Sequence, residues 1–261
     1  MLRIEHITKT FDKGTVNEHT ALRDLNLHVA QGDFITIIGA NGAGKSTLFN
    51  AIAGTFIADS GKIFLDGEDV TLQPAHVRAR NIGRLFQDPM LGTAPGMTIE
   101  ENLALAAGEG GWFSVMKARD RERFKNELAR LEMGLEERMK QPVGLLSGGQ
   151  RQALSLLMAT INPPKILLLD EHTAALDPKA AEQVLKLTNE IVEKNRLTCL
   201  MITHNMNSAL ELGNRTIMMH AGHIIYDVAG GDRAGVTVTD LHARFKEAAG
   251  TALDNDRMIL T

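Results

Sequence analysis

From Leu2 to Thr8, and again from Ala21 to Val29, apolar and polar residues alternate with the period of two that a half-buried strand requires. Gln31-Gly32-Asp33 predicts a turn. Phe34-Ile35-Thr36-Ile37-Ile38 predicts a short β-branched strand that runs straight into a glycine loop. Lys45 to Ala53 reads as a helix stopped near Gly54, and Lys62–Leu65 and Ile82–Phe86 read as further strands. The character changes after Gln87. Asp88 to Met97 is rich in Gly and Pro and predicts a loop, and from Thr98 to about Asn162 the pattern is helical. Thr98 is the expected N-cap of a first helix, with Glu101 as the capping-box acid. Lys117 to Met133 predicts a second, with Phe124, Leu128 and Leu131 on one side and a charged face read as solvated rather than RNA-binding. Ser147 heads a third that ends near Pro163-Pro164.

Alternation then resumes: strand at Ile166–Leu169, helix at Lys179–Lys194, strand at Thr198–Thr203, helix at Met206–Leu212, and paired strands at Arg215–His220 and His223–Val228. Strands alternating with helices imply an α/β fold with a mainly parallel sheet, interrupted here by an all-helical insert. The last part of the chain reads as a polar appendage with one short helix around Asp240–Ala248. The His220-Ala221-Gly222-His223 spacing is read as a hairpin turn rather than a metal site, because no third ligand is near in sequence.

Composition narrows the picture. The 261 residues are 44% hydrophobic and 23% charged, the balance of a soluble globular chain, and the net charge of −4 gives no bulk attraction to nucleic acid. At 4%, aromatics are too sparse for a single-strand stacking platform. Cys199, the only cysteine, lies in an apolar strand and is expected to be core, which fits a reducing compartment. No stretch is apolar enough to span a bilayer and the N-terminus lacks signal-peptide architecture, so a cytoplasmic chain is expected.

Gly39-Ala40-Asn41-Gly42-Ala43-Gly44-Lys45-Ser46-Thr47 matches the phosphate-loop pattern G-x-x-x-x-G-K-[ST] in full, with a strand before it and a helix after. Its glycines let successive backbone N–H groups face phosphate oxygens, Lys45 is expected to reach the β- and γ-phosphates, and Ser46 to ligate Mg²⁺. Ile166-Leu167-Leu168-Leu169-Asp170-Glu171 is the second motif. Asp170, at the strand's end, is expected to hold Mg²⁺ through water, and Glu171 to polarise the attacking water as general base. Between the two stands Leu146-Ser147-Gly148-Gly149-Gln150.

That order of motifs resembles the ATP-binding-cassette (ABC) ATPases. The resemblance implies a P-loop NTPase of α/β class: a RecA-like core with a mainly parallel sheet, an N-terminal antiparallel β subdomain and an inserted α-helical subdomain. One ATPase domain would occupy residues 1–230, with core segments 1–87 and 163–230, the insert at about 88–162, and an appendage at 231–261. It also implies roles for further positions. Leu146, Ser147, Gly148, Gly149 and Gln150 would contact ATP held by a second copy of the chain. Gln87 would contact Mg²⁺ and the attacking water, His204 the γ-phosphate, Phe11 the adenine, and Asp177 the dimer interface. The sequence departs from most relatives at His172, where proline is usual, and at Ala174 or Ala175, where serine is usual; neither position is assigned chemistry.

The run Asp170–Asp177 looks like that of stand-alone importer ATPases, some linked to aromatic amino acids. The function so implied is hydrolysis of ATP, with Mg²⁺, to energise solute transport through a separate permease. The partners would be a second copy of the chain, permease subunits and an extracytoplasmic solute-binding protein, with no nucleic acid, and the place the inner face of the cell membrane. The alternatives are an exporter or lipoprotein-release ATPase and a non-transport type such as iron–sulfur assembly. A repair ATPase needs a long coiled coil between its motifs, and only about 120 residues without sustained heptads separate Lys45 from Asp170.

Overall fold

In the computed structural model, which describes residues 1–108 and 118–249, the chain forms two units: Met1–Ile82 with the chain from Thr198, and Gly83–Leu197. The first opens with β1 (Leu2–Phe11) and β2 (His19–Val29), paired antiparallel. Alternation, reset where His6 and Asp24 take positive φ of 51° and 47° and the register shifts, puts Leu2, Ile4 and Ile7 with Leu22, Leu25, Leu27 and Val29 on the buried side. β3 (Phe34–Ile38) is buried at every position, as expected of a strand covered on both faces. It delivers the chain to α1 (Lys45–Ala53), which ends at Gly54 in the left-handed conformation glycine favours, φ 73°. β4 (Ser60–Leu65) and β5 (Glu68–Asp69) extend an antiparallel sheet in the order β2-β1-β4-β5.

A short helix, α2 (Ala75–Arg78), is absent from the sequence pattern and has one purpose visible in its contacts. Arg78 is buried and donates Nη1–H bonds to the Ala51 and Ile52 carbonyls at 2.8 and 2.9 Å, and further bonds to Gln73 and Thr71 carbonyls at 2.9 Å. Ala51 and Ile52 lie in the last turn of α1, where the helix dipole is negative and carbonyls are short of helical donors; Ala51 also accepts from the Gly54 N–H at 3.2 Å. A guanidinium satisfies several such acceptors at once.

β6 (Ile82–Leu85) leads into the second unit, where it neighbours β7 (Ile166–Asp170) in the sheet. The intervening chain holds α3 (Ile99–Ala107), α4 (Ala118–Ala129) and α5 (Gly148–Thr160), with α6 (Pro178–Asn195) following β7. Thr98 caps α3 with Glu101 in a full capping box, as predicted. Phe124, Leu128 and Leu131 are all buried. Lys117, the predicted start of that second helix, lies outside the described residues. α5 is the hub, packed by α3, α4 and α6.

The chain returns to the first unit as β8 (Thr198–Ile202), α7 (Met206–Glu211), β9 (Arg215–His220), β10 (His223–Ala229), α8 (Gly230–Ala234) and α9 (Val238–Ala249). β3 runs parallel to both β8 and β9, with β10 antiparallel on the edge, in the order β10-β9-β3-β8. Cys199 is buried in β8, and burial pushes its thiol pKa up, so it is core rather than reactive. α9 lays Leu241 and Phe245 against Ile38, Ala40, Met206, Ala209 and Met218. Of the appendage expected at 231–261, residues 250–261 lie outside the described residues.

Replacing Arg78 with Met leaves those four carbonyls without their donor. We expect a loss of about 3 kcal/mol in unfolding free energy, read as a lower denaturant midpoint at unchanged slope. An unchanged midpoint would remove Arg78 from the supports of α1.

Candidate functional site

The phosphate loop lies where β3 becomes α1. Gly39, Gly42 and Gly44 have φ of 152°, 77° and 99°. Gly42 stands in open space, but the other two do not. A Cβ on Gly39 would lie 2.2 Å from the Met219 carbonyl oxygen, and one on Gly44 2.4 Å from that of Ala21. The loop is therefore glycine for room as well as for conformation. The hairpin between β9 and β10 holds it: Gly222 N–H donates to the Ala43 carbonyl at 3.0 Å, and Arg23 N–H donates to the Gly222 carbonyl at 3.1 Å. The His220–His223 segment is thus the predicted turn, with Ala221 and Gly222 both at positive φ.

Gly44 is the N-cap of α1 and brings no side-chain acceptor. Lys45 is 5% exposed, and its Nζ donates to the Gly39 and Ala40 carbonyls at 2.6 and 3.0 Å. A cation folded under a glycine cradle at an uncapped helix start suits a polyphosphate. Ile37 and Ile202 are register partners on the parallel strands β3 and β8. His204 therefore leaves from the same strand ends as the loop, the edge where α/β folds place ligands. It is fixed from both sides: Thr203 N–H donates to the Ile37 carbonyl, and Asn205 caps α7 through Ser208 N–H.

Phe11 ends β1 and is 37% exposed. Phe56 meets it edge-on at 5.5 Å, and Lys9 lies over both rings. Asp59 fastens this corner, accepting from Thr10 N–H at 2.6 Å and pairing with Lys13 and Lys9 at 3.1 and 3.4 Å. The Thr10 amide first, and then the two lysines, hold its carboxyl below the usual range. Sequence reading missed Phe56 and Asp59, which sit far from Phe11 along the chain and belong to no motif.

In the second unit β7 carries Asp170 at its C-terminal edge, with the Arg84 guanidinium of β6 3.8 Å away. Burial lowers the Arg84 pKa and the Asp170 carboxylate opposes that. Gln87 follows β6 and is exposed; Gln152 Nε2 donates to the adjoining Phe86 carbonyl at 3.4 Å. Glu171 is left-handed, φ 47°, a conformation costly for a residue with a side chain. His172 turns inward, 2% exposed, and burial pushes its pKa down to about 4, so the ring is neutral.

Ser147 caps α5, accepting from Gln150 N–H while Gln150 Oε1 accepts from Ser147 N–H. Leu146 and Gly149 are buried, whereas Ser147 and Gly148 are exposed. Asp177 caps α6 by accepting from Ala180 N–H at 3.1 Å. The two turns are packed together: a Cβ on Gly148 would lie 3.1 Å from Leu176, and one on Gly149 2.9 Å from Ala180. Arg151, also missed in the sequence, donates to the Leu146 carbonyl at 2.9 Å and reaches Met90 Sδ at 3.0 Å, tying the pentapeptide to the loop after Gln87.

Comparison with known proteins places these features in a family. The model of the ABC transporter family matches residues 22–174. A tyrosine transport ATP-binding protein of Clostridioides difficile (strain R20291) is 40% identical over 250 residues, covering 95% of this chain and 100% of that one. The methionine import ATP-binding protein MetN of Vibrio vulnificus (strain YJ016) is 34% identical, over 86% of this chain and 64% of its own length. Among solved structures, the dimeric post-hydrolysis state of the ATP-binding cassette MJ0796, bound to ADP and Pi, superposes with a TM-score of 0.74 at 29% identity, covering 88% of this chain and 98% of that chain.

The Phe11 corner yields a test. Phe11→Ala removes a stacking face worth about 1–3 kcal/mol to a base. The KM for ATP is expected to rise about tenfold with kcat retained, in steady-state hydrolysis. An unchanged KM would exclude Phe11 from the base site.

Proposed function

Since the chain belongs to the ATP-binding subunits of ABC transporters, a family of ATPases, we propose that it drives import of an aromatic amino acid through a separate permease, by ATP-dependent closure of two copies of itself. The observation that carries the amino-acid reading is the tyrosine transport relative, aligned over its full length, and the import direction draws support from the methionine import relative MetN. The dimer reading draws support from the exposed Ser147 and Gly148 at the head of α5 and from the dimeric MJ0796 cassette.

In this reading each residue has a defined task. The Gly39–Thr47 backbone and Lys45 bind the phosphates and offset their charge. Ser46, Gln87 and, through water, Asp170 would hold Mg²⁺; their oxygens are the hard donors this cation prefers. When bound, the ion neutralises charge on the phosphates. Glu171 takes a proton from the attacking water, and His204 steadies the γ-phosphate. Ser147 contributes from the other copy. Its hydroxyl accepts from Gln150 and retains a proton to donate, so capping and phosphate contact are compatible. Asp177 lines the seam between copies.

The permease would dock on the second unit, where Met90, Leu91, Leu105 and Leu145 are exposed. Among the described residues no helix is long and apolar enough to cross a membrane. In this reading the permease holds the subunit at the inner face of the membrane, and an extracytoplasmic binding protein delivers the solute.

Glu171→Gln is expected to bind ATP, lose turnover by at least about a hundredfold, and run as a dimer on sizing with ATP. Ser147→Arg should bind ATP yet stay monomeric. A monomeric Glu171→Gln protein with ATP bound would count against closure.

For the import reading, the ATPase purified with its permease and placed in proteoliposomes should accumulate labelled tyrosine at the expense of ATP. Failure of any membrane protein to co-purify, or tyrosine-independent turnover without uptake, would overturn it.

A further inference from the structure

We propose that His172 is a positioning residue for hydrolysis, holding the Glu171 turn to the helix that carries Asp177. The inference rests on the reading of Glu171 as general base. Glu171 is left-handed, a conformation costly for a residue with a side chain. Within the loop, Ala174 N–H donates to the Glu171 carbonyl at 3.0 Å and Leu176 N–H to the Thr173 carbonyl at 3.2 Å. The next residue reaches out of the loop: His172 Nε2 lies 3.1 Å from Thr188 Oγ1, and both side chains are buried.

The direction of that bond is fixed by the neighbour. Thr188 Oγ1 donates its only proton to the Val184 carbonyl at 2.8 Å, so toward His172 it accepts. The ring is therefore the Nε2–H tautomer. Thr188 lies in the middle of α6, on the face that buries Val184, Leu187, Ile191 and Val192. The same helix begins at its cap Asp177 and sets Ala180 against Gly149. The hydrogen bond thus ties the Glu171 turn to α6, whose first turn, capped by Asp177, packs against the head of α5. A buried histidine that merely filled volume would need no oriented acceptor; this one has an acceptor whose other valence is spoken for.

The test uses the full-length chain and steady-state ATP hydrolysis, with the thermal midpoint measured in parallel. Thr188→Val keeps the volume and removes the acceptor. It is expected to lower kcat about tenfold with the KM for ATP within about twofold of the parent. Thr188→Ser should restore kcat. His172→Leu should match Thr188→Val, His172→Gln should recover part of the loss, and the double variant should be no worse than either single one. If His172→Leu fails to fold, the Thr188 pair decides alone.

Thr188→Val with parental kcat and a lowered midpoint would overturn the proposal, leaving His172 as packing. Glu171→Gln separates the two readings: turnover surviving in that variant refutes the general base, whereas its loss together with unchanged kcat in Thr188→Val refutes only the positioning role.

Discussion

Two carbonyl oxygens, of Met219 and Ala21, stand where side chains on Gly39 and Gly44 would have to be. That closeness is the constraint on which the rest of the first unit depends. The phosphate loop can curl only if it lies hard against β2 and the β9–β10 turn, and it can lie there only as glycine. The turn answers with a hydrogen bond from Gly222 to Ala43. The loop's shape is thereby set before any ligand arrives, and α1 leaves it in a fixed direction. Arg78 secures the far end of the same helix. Preorganisation of this kind removes an ordering cost from binding.

What was legible in the sequence is what local chemistry dictates. The phosphate loop, the Asp170-Glu171 strand end and the caps at Thr98 and Ser147 each depend on residues a few positions apart, and each stands where the pattern put it. Arg78, Asp59 and Thr188 were not legible, for a common reason. Their partners are distant in the chain, and several are backbone carbonyls or amides, which every residue carries. No residue type at the other end announces them. α8 was missed because it starts at Gly230-Gly231, which reads as a turn. The C-terminal helix was found, but its role in covering Ile38 and Met206 comes from Leu241 and Phe245 meeting residues far back in the chain.

The second unit is organised around α5 and α6. α5 begins at the pentapeptide, is tied by Arg151 to the loop after Gln87, and by Gln152 to the strand end before it. α6 begins at Asp177 and packs at Ala180 against Gly149. Glycine is favoured at that contact because a Cβ on Gly149 would lie 2.9 Å from the Ala180 Cβ, closer than van der Waals contact allows. The loop after Gln87 and the head of α5 are thus joined directly, through Arg151 on Met90 and on the Leu146 carbonyl.

The helix starts differ in what caps them. α3, α5, α6 and α7 each begin with a polar side chain that accepts from its own first turn: Thr98, Ser147, Asp177 and Asn205. Such a helix is complete without a ligand. α1 begins with Gly44 and supplies no such acceptor, so the positive end of its dipole is left to whatever anion the loop receives. An added cap would stabilise α1 and at the same time compete with phosphate for its amides. The glycine at that position costs about a few tenths of a kcal/mol relative to a polar cap, while Arg78 supports the other end of the helix. Stability withheld at the N-terminus of α1 is thus recovered only when a polyphosphate binds, and this makes substrate binding a structural event for the helix as well as a chemical one.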